Sequence, residues 1–344
     1  MTTDNRSVLN RVTRHDGARM AALLLLVVAV FGVARPGSFL TPLNLQSLSF
    51  SLPEVGLLAL AMVVTMASGG IDLSLVAIAN LSAIAIAIVG QWGVDMAVHP
   101  VFVTLLAIPV SIAVGALCGL INGLLVACVS IRPILATLAT GSLYTGLALA
   151  ITAGKALYSL PQPIADLGLA TLAGIPVMLV LAAVVAAAIW FVMSRTTFGR
   201  RALLYGANST AARYTGFSIA KVHLHTYLLA GALAGVAAVF ITARSASASA
   251  SFGGSYIMLA ITIAVLGGTD PIGGRIRIGG CILATVLLQV VSNGFNLMQI
   301  NPYIYQIVQG LILATFVVAS VRATVPSRKN APNRKKENHE SIAA

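Results

Sequence analysis

The sequence predicts an all-α fold: a polytopic transmembrane helical bundle of about ten spans, with the N- and C-termini cytoplasmic. Three observations carry this. First, hydrophobic residues make up 58% of the 344 and charged residues only 9%, against roughly 45–50% and about 25% in soluble domains. Second, the mean hydropathy is +0.95. Third, the charges are segregated. No Lys or Arg lies between Pro36 and Ile131, and the basic residues collect in the N-terminal tail, one middle loop and the C-terminal tail. The net charge of +12 therefore marks the flanks of membrane spans and not a nucleic-acid surface. A water-soluble enzyme, a nucleic-acid-binding domain and a disordered chain are all excluded.

Ten apolar runs follow one another: 19–34, 53–68, 73–90, 100–128, 134–152, 175–194, 222–242, 256–267, 278–297 and 303–320. A span takes about 20 apolar residues, fewer where the helix is broken or sheltered by protein. The second and eighth runs are short and adjoin Gly69-Gly70 and Gly267-Gly268. The fourth is long, which predicts a tilt or a kink at Pro109. With the N-terminus inside, 18 basic residues fall on inside segments and three (Arg35, Lys155 and Arg244) on outside ones. This split supports both the orientation and the even number of spans. The first run lacks a small-residue cleavage site and is followed by Arg35-Pro36, so it reads as a span and not a signal peptide. The chain divides into a cytoplasmic tail (1–18), a transmembrane domain (19–321) containing a cytoplasmic loop (195–221), and a basic tail (322–344). The last is expected to be disordered against anionic headgroups.

Catalytic and metal-binding patterns are missing. His15, His99, His223, His225 and His339 lie in tails or near span ends and form no HExxH; there is no GxSxG and no GxxxxGK(S/T). Cys118, Cys128 and Cys281 stand singly in apolar stretches and read as small core residues. No metal site is expected. Acids at membrane depth number at most two, Glu54 and Asp72, whereas ion-coupled carriers need intramembrane acids or bases. The polar residues of the spans are instead neutral: Asn80, Asn122, Gln289, Asn293, Asn296, Gln306 and Gln309. They suit a neutral, hydroxyl-rich solute. They equally suit helix-to-helix hydrogen bonds of about 0.6–2 kcal/mol each. Gly115, Gly119 and Gly123 form one helix stripe and Gly231 and Gly235 another, each permitting close approach of a neighbour.

The segment Met66–Ser74, MASGGIDLS, is more specific. Its paired glycines let the chain leave helical geometry, and Asp72 and Ser74 then stand at the start of the next helix, where an acid is favoured and either side chain can cap free N–H groups. This segment resembles the GGIDLS hallmark of the ABC-type sugar permeases of the ribose, xylose, arabinose and galactoside group. Gly199–Asn208 (GRRALLYGAN) and Ala211–Gly216 (AARYTG) are similar to that family's cytoplasmic loop, Val265–Gly274 (VLGGTDPIGG) to its VLGGTSxxGG segment, and Asn293-Gly294 with Asn296-Leu297 to its NGLNLL-like stretch. The four segments occur in order between about 55 and 320. Leu75-Val76-Ala77 departs from the family's Val-Gly, and Arg275 and Arg277 from its small residues after the second Gly-Gly. The two arginines read as positive-inside charges, with a partner or lipid contact as the alternatives. Asn122-Gly123 and Asn293-Gly294 hint at an internal repeat.

The resemblance implies a permease subunit of an ATP-binding-cassette importer in the bacterial inner membrane. It would translocate a sugar or sugar-like solute handed over by a periplasmic solute-binding protein. A second permease subunit, identical or not, would complete the path. ATP would be bound and hydrolysed by a separate ATPase subunit, so this chain would hold no cofactor of its own. Membrane lipid is a further expected partner and nucleic acid is not. Loop 195–221, with five basic residues and no acid, is the expected coupling element. Within it Gly199, Gly206, Asn208, Ala211, Ala212 and Gly216 match the family pattern, and a short helix should run from Asn208 or Ser209 until Gly216 ends it. Asp72, Ser74, Asn80, Asn293 and Asn296 are the expected path or gating residues, with Asp72 on the cytoplasmic side. Phe252, Tyr256 and Tyr303 lie near the outer face, to stack on a sugar or to anchor in lipid. The alternatives are a permease for branched-chain amino acids or a sugar-derived signal, and a stand-alone secondary transporter or channel.

Overall fold

The computed structural model describes residues 5–324, with side-chain surroundings for 17–315. In chain order the elements are α1 (Asn5–Ala34), α2 (Pro42–Ala67), α3 (Leu75–Asp95), α4 (Pro100–Ala127), α5 (Pro133–Thr152), the short α6 (Gln162–Leu167), a two-strand hairpin β1 (Thr171–Leu172) and β2 (Ile175–Pro176), α7 (Val177–Arg195), α8 (Thr197–Ala207), α9 (Ser209–Tyr214), α10 (Ile219–Ser245), α11 (Tyr256–Leu266), α12 (Ile278–Leu297) and α13 (Pro302–Thr324). Among the described residues, eight helices are long and apolar enough to cross a membrane: α1, α2, α3, α4, α5, α7, α10 and α12. With the short α11 and with α13 they account for about ten spans. The tail expected to be disordered lies, beyond Thr324, outside the described residues.

Two spans depart from expectation. The second is not short. It starts at Pro42, where the Thr41 hydroxyl accepts from Asn44 N–H at 3.3 Å, and it runs 26 residues with Pro53 inside it. Asn44, Gln46, Ser47, Ser49 and Ser51 hide its first turns from a hydropathy reading; Asn44 pairs with Asn293 on α12, the Ser49 and Ser51 hydroxyls bond carbonyls of their own helix, and Gln289 donates to the Ser51 main-chain carbonyl at 3.1 Å. The sixth begins at Val177, because 175–176 belong to the hairpin. Pro109 is accommodated inside the continuous α4. The eighth is short, as expected: 11 residues extend about 16 Å, half the hydrocarbon thickness.

The centre of the molecule is α2 and α10, each 78% buried over its most apolar window, whereas α1 is 6% buried and lies at the edge. The two glycine stripes explain how α10 reaches the centre. They face each other: a Cβ at Gly119 would strike the Tyr227 carbonyl, one at Gly231 the Gly115 carbonyl, and one at Gly235 the Ser111 carbonyl. The Ser111 hydroxyl adds a bond to the Gly235 carbonyl at 2.8 Å. Backbone thus packs on backbone, the closest approach two helices can make.

Candidate functional site

Two regions carry the residues singled out by the sequence, one at each end of the membrane. On the cytoplasmic side α2 stops at Ala67 and Gly69 turns the chain at φ +76°. Asp72 and Ser74 follow, both fully buried. Three donors converge on the Asp72 carboxyl group: the Ser74 N–H at 2.9 Å, the Ser74 hydroxyl at 2.6 Å and the Asn122 amide at 3.4 Å. Asn122 also donates to Ser74 Oγ at 2.7 Å, and the Tyr144 hydroxyl lies 3.3 Å from Asn122 Oδ1. Thr137 on α5 accepts from the Leu73 N–H at 3.1 Å. Asp72 takes one backbone N–H, as expected; Ser74 caps none, because its hydroxyl is turned to the acid. The cluster knots the α2–α3 break to α4 and α5.

The cytoplasmic loop is packed against this break. A helix expected near Asn208 is present as α9, its first turn capped by the Asn208 side chain accepting from Ala211 N–H at 2.9 Å, with Gly216 beyond it at φ +76°. A longer amphipathic helix, α8, precedes it and was not foreseen. Gly199 closes the corner from α7, where a Cβ would strike the Met193 backbone. Gly206 has no room either: a Cβ there would meet the Ala67 carbonyl and the Gly274 nitrogen. Gly274 N–H donates to that same Ala67 carbonyl at 3.2 Å. Gly273, at φ +107°, lies against Gly69 and Gly206. Three segments far apart in sequence (the α2–α3 break, the end of α8 and the loop after α11) therefore meet through bare backbone. Ala212 is buried, whereas Ala211, Arg213 and Tyr214 are exposed, Tyr214 by 89%. Gly199, Gly206 and Ala212 position the α8–α9 unit; Asn208, Ala211 and Gly216 lie on its exposed side.

On the outer side α2, α11, α12 and α13 enclose a polar cavity of ≈ 340 Å³, within the range of about 300–1,000 Å³ usual for small-molecule sites. Asn293, Asn296, Gln289, Gln306 and Gln309 line it, together with Arg244 and Tyr256. Asn293 and Asn44 exchange amide bonds at 2.9 and 3.0 Å, so Asn293 both lines the cavity and braces α12 on α2. Asn80 lies apart from the cavity: its amide donates to the Ala250 and Phe252 carbonyls, both at 3.0 Å, and holds the loop before α11. Phe252 meets Tyr256 edge-on, with ring centres 5.9 Å apart, while Tyr303 is exposed at the start of α13.

One arrangement was missed. Glu54, fully buried in α2, pairs with Arg244 and accepts from the Tyr256 hydroxyl at 2.9 Å. The signal was in the sequence: an acid at membrane depth requires a partner, and Arg244 is one of only three basic residues outside. Their side chains meet because α2 and α10 share the centre.

The fold is that of a polytopic helical membrane protein. The family described as "Branched-chain amino acid transport system / permease component" matches residues 44–317, and the chain belongs to it. The Autoinducer 2 import system permease protein LsrD of Photorhabdus temperata is 33% identical over 308 residues, covering 87% of this chain and 89% of that one. LsrD of Yersinia enterocolitica is similar at 33% over the same shares, and LsrD of Photorhabdus laumondii at 32% over 306 residues, again with 87% and 89% covered. No solved structure matches the chain. It is thus a transport subunit of an import system, not an enzyme, and a multi-pass inner-membrane protein.

Proposed function

We propose that the chain forms one half of the translocation path of an ATP-binding-cassette importer for a small, neutral, hydroxyl-rich solute. Autoinducer 2, named in its relatives, is the first candidate. The observation that carries this reading is the outer cavity, whose walls offer amide donors and acceptors from Gln289, Asn293, Asn296, Gln306 and Gln309, while its cation is already engaged by Glu54. Such a lining matches hydroxyl groups without demanding a charge. A periplasmic binding protein delivers the solute to this face, and a second permease subunit closes the path. A separate subunit binds and hydrolyses ATP and docks on the exposed side of α8–α9, where Leu204, Arg213 and Tyr214 are presented. Asp72 and Ser74 act as a brace at the inner gate, since both are fully buried.

The test is uptake into vesicles of this chain reconstituted alone and together with the ATPase, binding protein and second permease that co-purify from its native membrane. ATP-dependent uptake of labelled autoinducer 2 or a pentose by the complete set, with none by the chain alone, is the expected result. Uptake by the chain alone overturns the coupled mechanism, and preferential uptake of leucine overturns the solute class.

A further inference from the structure

The ion pair beside the outer cavity does more than the packing of α2 on α10 requires. Among the described residues that line this cavity, Arg244 alone carries a charge. Its counter-charge is not in the wall: Glu54 stands behind it in α2, fully buried and absent from the lining. Glu54 Oε1 accepts from Arg244 Nη1 and from the Tyr256 hydroxyl, the latter at 2.9 Å. Oε2, equally buried, has no hydrogen-bond partner. The Arg244 side chain is nevertheless 40% exposed, so the held cation still borders the open space.

Stability does not account for this pair. Taking two charges out of water offsets much of what their attraction returns, and a well-packed apolar pair of the same volume does as well or better. The half-used carboxylate adds a further cost, since a buried acceptor without a partner is unfavourable. What the pair achieves is a cavity that contains a guanidinium and yet carries no net charge. An arginine alone in this wall would draw anions, because a concave site with low-dielectric walls focuses its field. A wall without the arginine would lose a strong donor to hydroxyl groups. The pair keeps the donor and cancels the attraction.

We infer that Glu54 sets the charge selectivity of the outer cavity: by neutralising Arg244 from behind, it favours neutral polyols and removes the advantage that an anionic sugar acid would otherwise have. Glu54 acts through Arg244 and touches no solute itself. The inference rests on the proposed reading of this cavity as the solute's site, and adds which solutes it favours and which side chain decides that.

The test first reads the charge of the cavity without transport. Ser47, exposed and in the cavity wall, is replaced by cysteine in the full chain, and the exposed Cys128 by serine. Membranes are then treated with an anionic (sulfonatoethyl) or a cationic (trimethylammonioethyl) methanethiosulfonate. Each rate is divided by that reagent's rate with a free thiol, and with Glu54 present the two quotients should be closely similar. Glu54→Gln should raise the anionic-to-cationic ratio about fivefold, and salt at about 1 M should erase the rise. Combining Glu54→Gln with Arg244→Gln should restore the original ratio. Glutamine keeps an acceptor for Tyr256 and Arg244, and unfolding temperature reports whether each variant is folded. Glu54→Met, apolar and of similar length, carries the same expectation by a second route. In the complete importer, ribonate should halve labelled-pentose uptake at an about fivefold lower concentration in Glu54→Gln than in the wild type, while neutral ribitol should act equally on both. A wild-type cavity that already favours the anionic reagent overturns the inference. So does an unchanged ratio in the folded Glu54 variants, or equal ribonate sensitivity of the two importers. Absence of ATP-dependent uptake by the wild-type set overturns the proposed function instead, and the labelling still decides whether Glu54 neutralises this wall.

Discussion

The two ends of the membrane are built in opposite ways. At the cytoplasmic junction of Gly69, Gly206, Gly273 and Gly274, main chain touches main chain. At the outer cavity long amides, an arginine and two tyrosines line an open space. Backbone contacts have no rotamers with which to absorb a shift, so under the proposed function a movement of α8–α9 would pass to the α2–α3 break. Side-chain walls can re-form around a solute. Under the proposed function the inner end would transmit and the outer end would adapt, and substitutions should separate the two.

The largest effect is expected at the junction. Gly206→Leu forces a side chain into the Ala67 carbonyl and Gly274, an overpacking that costs about 3 kcal/mol. Coupled uptake should disappear while the protein still inserts, as measured by vesicle transport beside membrane yield. Wild-type uptake by this variant would break the contrast at its stronger side. Next comes Arg244→Ala. It leaves Glu54 buried with only Tyr256, and because the Arg244 side chain is 40% exposed the loss should be about 2 kcal/mol, below that of a fully buried pair. Thermal unfolding in detergent reads this loss, and adding Glu54→Gln should recover much of it. Smallest in stability is Asn296→Ala, which should unfold within about 0.5 kcal/mol of wild type while the half-saturating solute concentration of uptake rises about three- to tenfold. Asn80→Ala sharpens the comparison, since a buried carbonyl and a partly buried one lose their donor. It should cost about 1–3 kcal/mol and leave half-saturation unchanged.

Much of the fold was legible. Long apolar runs, basic flanks and glycine pairs report directly on helices that must satisfy their own backbone in lipid. The start of α2 was hidden, because its polar residues read as loop, and Asn44 finds its partner Asn293 only across to α12. α8 was hidden by its charges: Arg200 and Arg201 lie on one face of an amphipathic helix, not in an extended loop. At the candidate sites, the capped start of α9 and the place of Asp72 at the start of α3 follow from local rules of capping and turn geometry, whereas the burial of Asp72 is made by Asn122 and its neighbours on other helices. Asn80 and Asn296 look alike in sequence, yet one holds a loop and the other lines a cavity, a difference set by neighbours some 170 residues away for Asn80.

The sequence by itself determined that this chain is a bundle of membrane-spanning helices, because hydropathy and glycine breaks are local quantities, and its resemblance to the sugar permeases pointed to the family. Only the tertiary structure decided that Glu54 pairs with Arg244, that three glycine segments meet at one junction, and that Asn293 faces Asn44. Each of these depends on which helix faces make contact at the centre and edge of the bundle. That is settled by how closely α4 and α10 approach through their glycines, and no single stretch of sequence contains it.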